Sequence, residues 1–203
     1  MKLISIPLLF VAAVANTALA NERMLPAFEI QIGANAQEFK LGLGSWDDAK
    51  TNHGQFYISH FNSEDTNAVE GNSVGKREYT STRLGLNVLG FSLEPNKAVE
   101  GGFFLYSNKS EFNIDRAGVG INFALGKMLN EKIRIHAGAS LMPEFLSTDW
   151  DAEAVLEYEL NTGITYRIND LIDISAEYRH GATFDDISIK HYGQLMGGFA
   201  IRM

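Results

Sequence analysis

The 203-residue chain has no cysteine, only 4 prolines, and fewer basic than acidic side chains, 17 Lys+Arg against 25 Asp+Glu. Without cysteine there is no disulfide framework, no thiolate zinc site and no cysteine nucleophile. A formal net charge of -8 has the wrong sign for a nucleic-acid binder, which needs a basic surface to neutralise phosphates. No nucleic-acid partner is therefore expected. Long apolar runs are missing as well. The one apolar run, Leu3 to Val14, is far short of the roughly 20 residues that a spanning helix requires. The length suits one domain, or at most two small ones.

That run has a different use. Lys2 supplies a positive start, Leu3 to Val14 an apolar centre, and Ala18-Leu19-Ala20 a small-x-small cleavage site, so residues 1–20 predict a secretory signal peptide. The remaining 21–203 form a single expected domain. An exported chain without cysteine fits a Gram-negative envelope better than a eukaryotic secreted domain. If this chain crosses a membrane, it must do so as a barrel.

What is abundant is alternation. Thr80, Thr82, Leu84, Leu86 and Val88 alternate with Ser81, Arg83, Gly85 and Asn87. Ala117, Val119, Ile121, Phe123 and Leu125 alternate with Arg116, Gly118, Gly120 and Asn122. The same period runs through 132–141, 153–167, 172–179 and 194–203. Period two means strands with one apolar and one polar face. Segments 28–34, 38–44, 54–61 and 97–106 are less regular, with Phe56, Tyr57, Ile58 and Phe61 occupying both faces of the third. The expectation is an all-β, antiparallel, up-and-down transmembrane β-barrel of ten strands, or eight if the first two segments are not both full strands. The polar 62–78 stretch reads as a loop.

Alternation alone leaves open which face is outside: a lipocalin-like barrel turns its apolar face inward, a membrane barrel outward. Two features favour the second. The polar face mixes both charges with glycines, which would weaken exposed strands. It carries Arg83, Arg116, Arg134, Glu157, Glu159, Arg167, Asp173, Glu177 and Arg179, a set suited to a narrow lumen lined by ion pairs. The connections 181–190, 168–170, 142–152, 126–131, 107–113, 92–96 and 62–78 alternate between long and short, as in outer-membrane barrels. The N-terminal quarter breaks that rhythm. Arg116, Arg134 and Arg167 are expected to pair with acids among Glu157, Glu159, Asp173 and Glu177. Tyr158, Tyr166, Tyr178, Phe123 and Phe199, all on the apolar face, suit girdles at the lipid interfaces.

Leu141-Met142-Pro143-Glu144-Phe145-Leu146-Ser147, the acidic Asp149-Trp150-Asp151-Ala152, a long alternating strand and then Glu177-Tyr178-Arg179 resemble the YfaZ family of bacterial outer-membrane proteins. Glu177 stands where that family usually has glycine. The resemblance is best over 115–203. It implies a small, porin-like barrel of unassigned biochemical role.

Catalytic groups are sparse. A serine hydrolase of the His-x-Ser type would need a nucleophile two residues after His180, and that position is Ala182. Asp185 and Asp186 near His191 resemble water-activating pairs only if other loops converge on them. Glu64-Asp65 and Asp149-Trp150-Asp151 lack calcium-loop spacing, and His53, His60 and His136 lack metal-ligand spacing. No catalytic residue, metal or cofactor is expected. The expected function is a non-enzymatic outer-membrane barrel, structural or a narrow channel. Its expected partners are outer-membrane lipid, lipopolysaccharide and the barrel-assembly machinery, and its expected state is monomeric. The alternatives are an outer-membrane enzyme acting through outer loops and a soluble periplasmic barrel binding an apolar ligand.

Overall fold

The computed structural model describes residues 25–46, 52–70, 73–94, 96–110, 115–150, 154–184 and 189–203. The segment expected as a signal peptide, and Asp185 and Asp186, lie outside these residues. The strands are β1 (Leu25–Gly33), β2 (Ala36–Trp46), β3 (Asn52–Glu70), β4 (Ser73–Glu94), β5 (Lys97–Ser110), β6 (Arg116–Met128), β7 (Ile133–Pro143), β8 (Ser147–Trp150), β9 (Leu156–Arg167), β10 (Ile172–Phe184) and β11 (Ile189–Arg202).

Each long strand pairs antiparallel with its neighbours in the chain. Two pairings decide the architecture. β5 joins β6, from Lys97↔Lys127 to Asn108↔Arg116, and β1 joins β11, from Ala27↔Arg202 to Gly33↔Met196. The sheet therefore closes into a ten-stranded antiparallel barrel, leaving no unpaired edge in the ring. Both N-terminal segments are full strands, which removes the eight-strand count. The short β8 sits outside the ring and pairs only with the start of β6, Arg116↔Trp150.

The two ends differ. One end, here the terminal end, holds the last residues of β11 and tight turns built on asparagine. Asn130 Oδ1 accepts from the backbone N–H groups of Lys132 and Ile133, both at 2.9 Å. Asn169 Oδ1 does the same for Leu171 and Ile172, also at 2.9 Å. Asx side chains stabilise such turns by mimicking a backbone acceptor. The opposite, loop end carries the β7–β9 connection.

The β3–β4 hairpin also extends at the loop end and corrects one expectation. Residues 62–78 are not a loop: β2 leaves β3 at Ala36↔Ser63, yet β3 and β4 stay paired to Glu70↔Ser73. Beyond Ser63 the hairpin keeps its β3–β4 ladder without a β2 partner, and that ladder forms without an apolar stripe in the sequence. Periodicity is blind to such a segment.

Faces sort cleanly around the ring. Outward lie Phe39 and Leu41 on β2, Phe56 and Ile58 on β3, Leu105 on β5, Leu125 on β6, Ile164 on β9 and Leu195 on β11, all exposed. Inward lie Glu38, Ser59, Arg83, Asn108, Arg116, Glu159 and Arg179, all buried. This is the reverse of a soluble ligand-binding barrel.

Candidate functional site

The bore is filled with charge, and the charges reach across it. On the ring, β4 and β9 are separated by β5, β6 and β7 on one side and by five strands on the other. Arg83 on β4 nevertheless meets Glu159 on β9 with both prongs of its guanidinium, Nη1 to Oε1 and Nη2 to Oε2 at 3.2 Å each. Tyr192 from β11 donates its hydroxyl to the same carboxylate. Arg179 on β10 crosses to Glu38 on β2 at 2.7 Å and also pairs with Glu177 on its own strand. His136 Nε2 on β7 lies 2.9 Å from Glu177 Oε2. Planar guanidinium forks suit such bidentate struts.

Nearer the loop end, Glu157 is the hub. Its carboxylate accepts from Tyr79 Oη at 2.6 Å and Asn108 Nδ2 at 3.0 Å, and Arg116 Nε approaches to 2.7 Å. Both charged side chains are essentially solvent-free, 0% and 2% exposed, so neither can rely on water. The β7–β9 connection caps this hub. Trp150 lies over the Arg116 guanidinium at 5.6 Å, its indole N–H held by the Ala154 carbonyl at 2.6 Å. Tyr106 reaches Ser147 at 2.8 Å. At the terminal end, Arg134 pairs with Glu100 at 2.7 Å and Arg202 with Asp173. Here Glu29, Lys40, Glu100, Arg134 and Arg202 surround a polar cavity of about 120 Å³.

Arg116, Glu157, Glu159, Asp173, Glu177 and Arg179 are buried, and Arg134 and Arg167 are half-buried. All eight occupy inward positions on their strands. The partners differ in part from those expected. Arg116 does take Glu157, whereas Arg134 turns to Glu100, and Glu159 is held by Arg83 from across the bore. Glu38, Glu100 and Arg202 were not singled out from sequence. Glu38 and Glu100 sit on the less regular strands, whereas Arg202 closes a strand whose alternation was clear.

Aromatics were missed for a related reason. Tyr57, Phe61, Tyr79, Phe104, Tyr106 and Tyr192 are buried inside. Phe61 and Tyr192 stack with ring centroids 4.7 Å apart, and Tyr79 and Tyr192 at 5.1 Å. Glycines make room for them. A Cβ on Gly85 would strike the Tyr57 ring, one on Gly120 the Phe104 ring, and one on Gly181 the Tyr192 ring. Gly138 and Gly163 are covered by Asn161 and His136 in the same way. Gly85, Gly120, Gly138, Gly163 and Gly181 thus lie under neighbouring side chains, whereas Gly118 lies against the backbone of Leu146 and Ser147.

The sign balance is even. Among described residues, inward acids are Glu29, Glu38, Glu100, Glu157, Glu159, Asp173 and Glu177, and inward bases are Lys40, Arg83, Arg116, Arg134, Arg167, Arg179 and Arg202. The chain's excess of acid lies elsewhere. His180 stands on the outer wall beside Tyr158, ring centroids 6.2 Å apart, while Thr183 is buried on the inner face. Thr183, a hydroxyl near the missing nucleophile position, and His180 are therefore on opposite faces of the sheet and do not meet. Among the described residues no group of three His, Asp or Glu is placed to hold a metal ion.

No protein-family profile and no curated protein matches the chain. Solved structures do align with it. The KdgM porin in complex with disordered oligogalacturonate aligns over 87% of this chain and 98% of its own, with 8% identity and a TM-score of 0.43. The NanC porin aligns over 88% and 98%, with 8% identity and a TM-score of 0.41. The outer-membrane channel DcaP of Acinetobacter baumannii aligns over 86% of this chain, with 12% identity and a TM-score of 0.38, and the chain spans 54% of its length.

Proposed function

We propose that this chain is a non-enzymatic outer-membrane β-barrel whose bore is plugged by its own side chains, a structural element of the bacterial envelope rather than an open pore. One observation carries the reading: the apolar faces of the strands point outward while ion pairs fill the interior. Leu41 is 55% exposed, Leu125 55% and Leu195 68%, within a belt that runs around the ring. Soluble monomers rarely leave apolar patches beyond a few hundred Å² in water. Hydrocarbon accepts such a belt, and a closed ring satisfies every backbone group there. The resemblance to the YfaZ family agrees with this reading. Within the ring, closure leaves no strand edge for a second copy to extend, which favours a monomer in contact with lipid and lipopolysaccharide.

The plug is supported by struts that cross the bore, by glycine sockets that are occupied, and by inward charges that balance among the described residues. A ten-stranded barrel encloses little space once side chains fill it. Planar-bilayer recordings of the purified chain test this. We expect no unitary steps from the wild type, and steps from a variant in which Arg83→Ser and Tyr192→Ala open the waist. Steady, reproducible steps from the wild type would overturn the plug. Failure to float with lipid vesicles would overturn the membrane assignment itself.

A further inference from the structure

The apolar belt is uneven in height. On β9 the outward positions Leu156, Tyr158, Leu160, Ile164 and Tyr166 are interrupted only by Thr162. At about 3.3 Å per residue along a strand tilted by about 40°, Leu156 to Tyr166 spans about 25 Å of the barrel axis, the height of a lipid-facing band. At the rim above it Val155 and Phe184 are exposed as well. β3 is different. Its outward apolar side chains among the described residues are Phe56 and Ile58, between the buried Gly54 and the exposed His60, a window of at most about 15 Å on the same geometry. The row above Ile58 is polar across three strands, for His60 pairs with Thr82 and Thr82 with Ser107. His60 Nδ1 lies 3.0 Å from Thr82 Oγ1 on this exposed face. The next row holds Gln37, Asn62, Thr80 and Lys109. The rim steps down on the same side. β1 meets β11 last at Gly33↔Met196 and turns back as β2 at Ala36, whereas β11 reaches on to Ile189 at the loop end.

We infer that the barrel thins the loop-side leaflet against β2, β3 and β4, where the headgroup and glycerol-ester layer of the surrounding bilayer descends onto Gln37, His60, Asn62, Thr80 and Thr82. The inference rests on the membrane reading above. A leaflet of ordinary thickness would surround these amides, hydroxyls and the imidazole with hydrocarbon, which offers them no hydrogen-bond partner. A short apolar band is accommodated instead by thinning of the lipid, at a small cost per ångström of mismatch. Headgroups suit the patch on three counts. It is rich in neutral donors and acceptors, it opens at the low rim, and it continues the lipid-facing wall of the same strands. A second copy covering the patch is the competing occupant, and the test separates the two.

The chain has no cysteine, so single nitroxide labels can be attached without background. Thr82→Cys and Leu160→Cys place one label on the low side and one on the tall side, both a few residues below the loop-end rim. The full chain is folded into dioleoylphosphatidylcholine vesicles and scored by flotation. Label depth is then read by electron paramagnetic resonance, from relative accessibility to oxygen and to a water-soluble nickel chelate. The expected result is a label at headgroup depth for Thr82→Cys and one deeper by on the order of 5–10 Å for Leu160→Cys. Adding His60→Leu and Asn62→Leu should draw the Thr82→Cys label toward the depth of the other, whereas Thr162→Leu on the tall side should leave it in place. Equal depths for the two labels, in headgroups or in hydrocarbon, overturn the inference and leave the barrel reading intact. So does a Thr82→Cys label unmoved by the two leucines. A Thr82→Cys label shielded from both reagents, with dipolar broadening that falls on dilution with unlabelled chain, marks a second copy and overturns it too. A chain that does not float overturns both readings.

Discussion

Replacing Glu159 by leucine removes the anion that holds Arg83 from the far side of the bore. The side chains are 10% and 6% exposed, so Arg83 cannot recover its hydration by a small movement. Its two hydrogen bonds at 3.2 Å disappear together, and the Tyr192 hydroxyl loses the carboxylate to which it donates. Breaking a buried pair from one side typically costs about 3–5 kcal/mol, because the surviving charge remains buried and uncompensated. The reverse single change, Arg83→Met, should cost a similar amount. The double change should cost far less than the sum, since a well-packed apolar pair of similar volume replaces a buried ion pair almost without penalty. Reversible urea unfolding in lipid vesicles, followed by tryptophan fluorescence, gives all three values and hence the coupling energy. A coupling below about 0.5 kcal/mol, the noise of additive sites, would refute the strut and with it the plugged lumen.

Two further substitutions address the faces and the sockets. Ile164→Arg, on the outer wall and 43% exposed, should impair folding into bilayers by about 2–4 kcal/mol if it lies near the midplane, and Asn161→Arg on the inner face of the same strand should cost less; equal cost on both faces would reject the orientation. Gly120→Ala should drive a methyl into the Phe104 ring at about 1–3 kcal/mol of overpacking, with Phe104→Leu recovering most of the loss in the same vesicle unfolding assay; absence of any recovery would show that Phe104 is not the obstacle.

Most of the architecture could be read from the chain because the pleat forces side chains to alternate. Strands β6, β7, β9 and β10 carry both faces in plain view: Arg116 to Asn122 inward and Ala117 to Leu125 outward is a pattern that no helix reproduces. β3 was harder, and the reason is physical. Its inner face includes Tyr57 and Phe61, so apolar residues stand on both sides and the contrast between faces collapses. The parity was still present, since Tyr57 keeps step with Gln55 and Ser59, Tyr79 with Ser81 and Arg83, and Tyr106 with Asn108. An aromatic in step with polar residues belongs to the bore; one in step with leucines belongs to the wall. Partner choice was less legible. Adjacent strands suggest cross-strand pairs, yet Arg83–Glu159 and Arg179–Glu38 are chords of a closed ring, and closure brings together residues 76 and 141 positions apart. The loop assignment of 62–78 failed because a two-stranded ribbon needs only backbone pairing.

The even lumen bears on why a barrel would hold so much buried charge. An apolar filling would stabilise the bore at least as well, since ion pairs gain little over hydrophobic replacements once desolvation is counted. Charge does something that packing cannot: it penalises every alternative register. A one-residue slip of any strand would carry its inward charges to the wall and its leucines to the bore, placing ions in hydrocarbon. Chords such as Arg83–Glu159 add a condition between strands that never touch through the backbone ladder. They can be satisfied only when the strands between them are all present and in register. On this argument the ion pairs contribute less to the depth of the folded state than to its uniqueness. It also accounts for inward charges that balance in sign among the described residues although the chain as a whole is acidic. A conduction pathway would draw its selectivity from unbalanced fixed charge, and here each buried carboxylate with a resolved ion-pair partner already faces its cation.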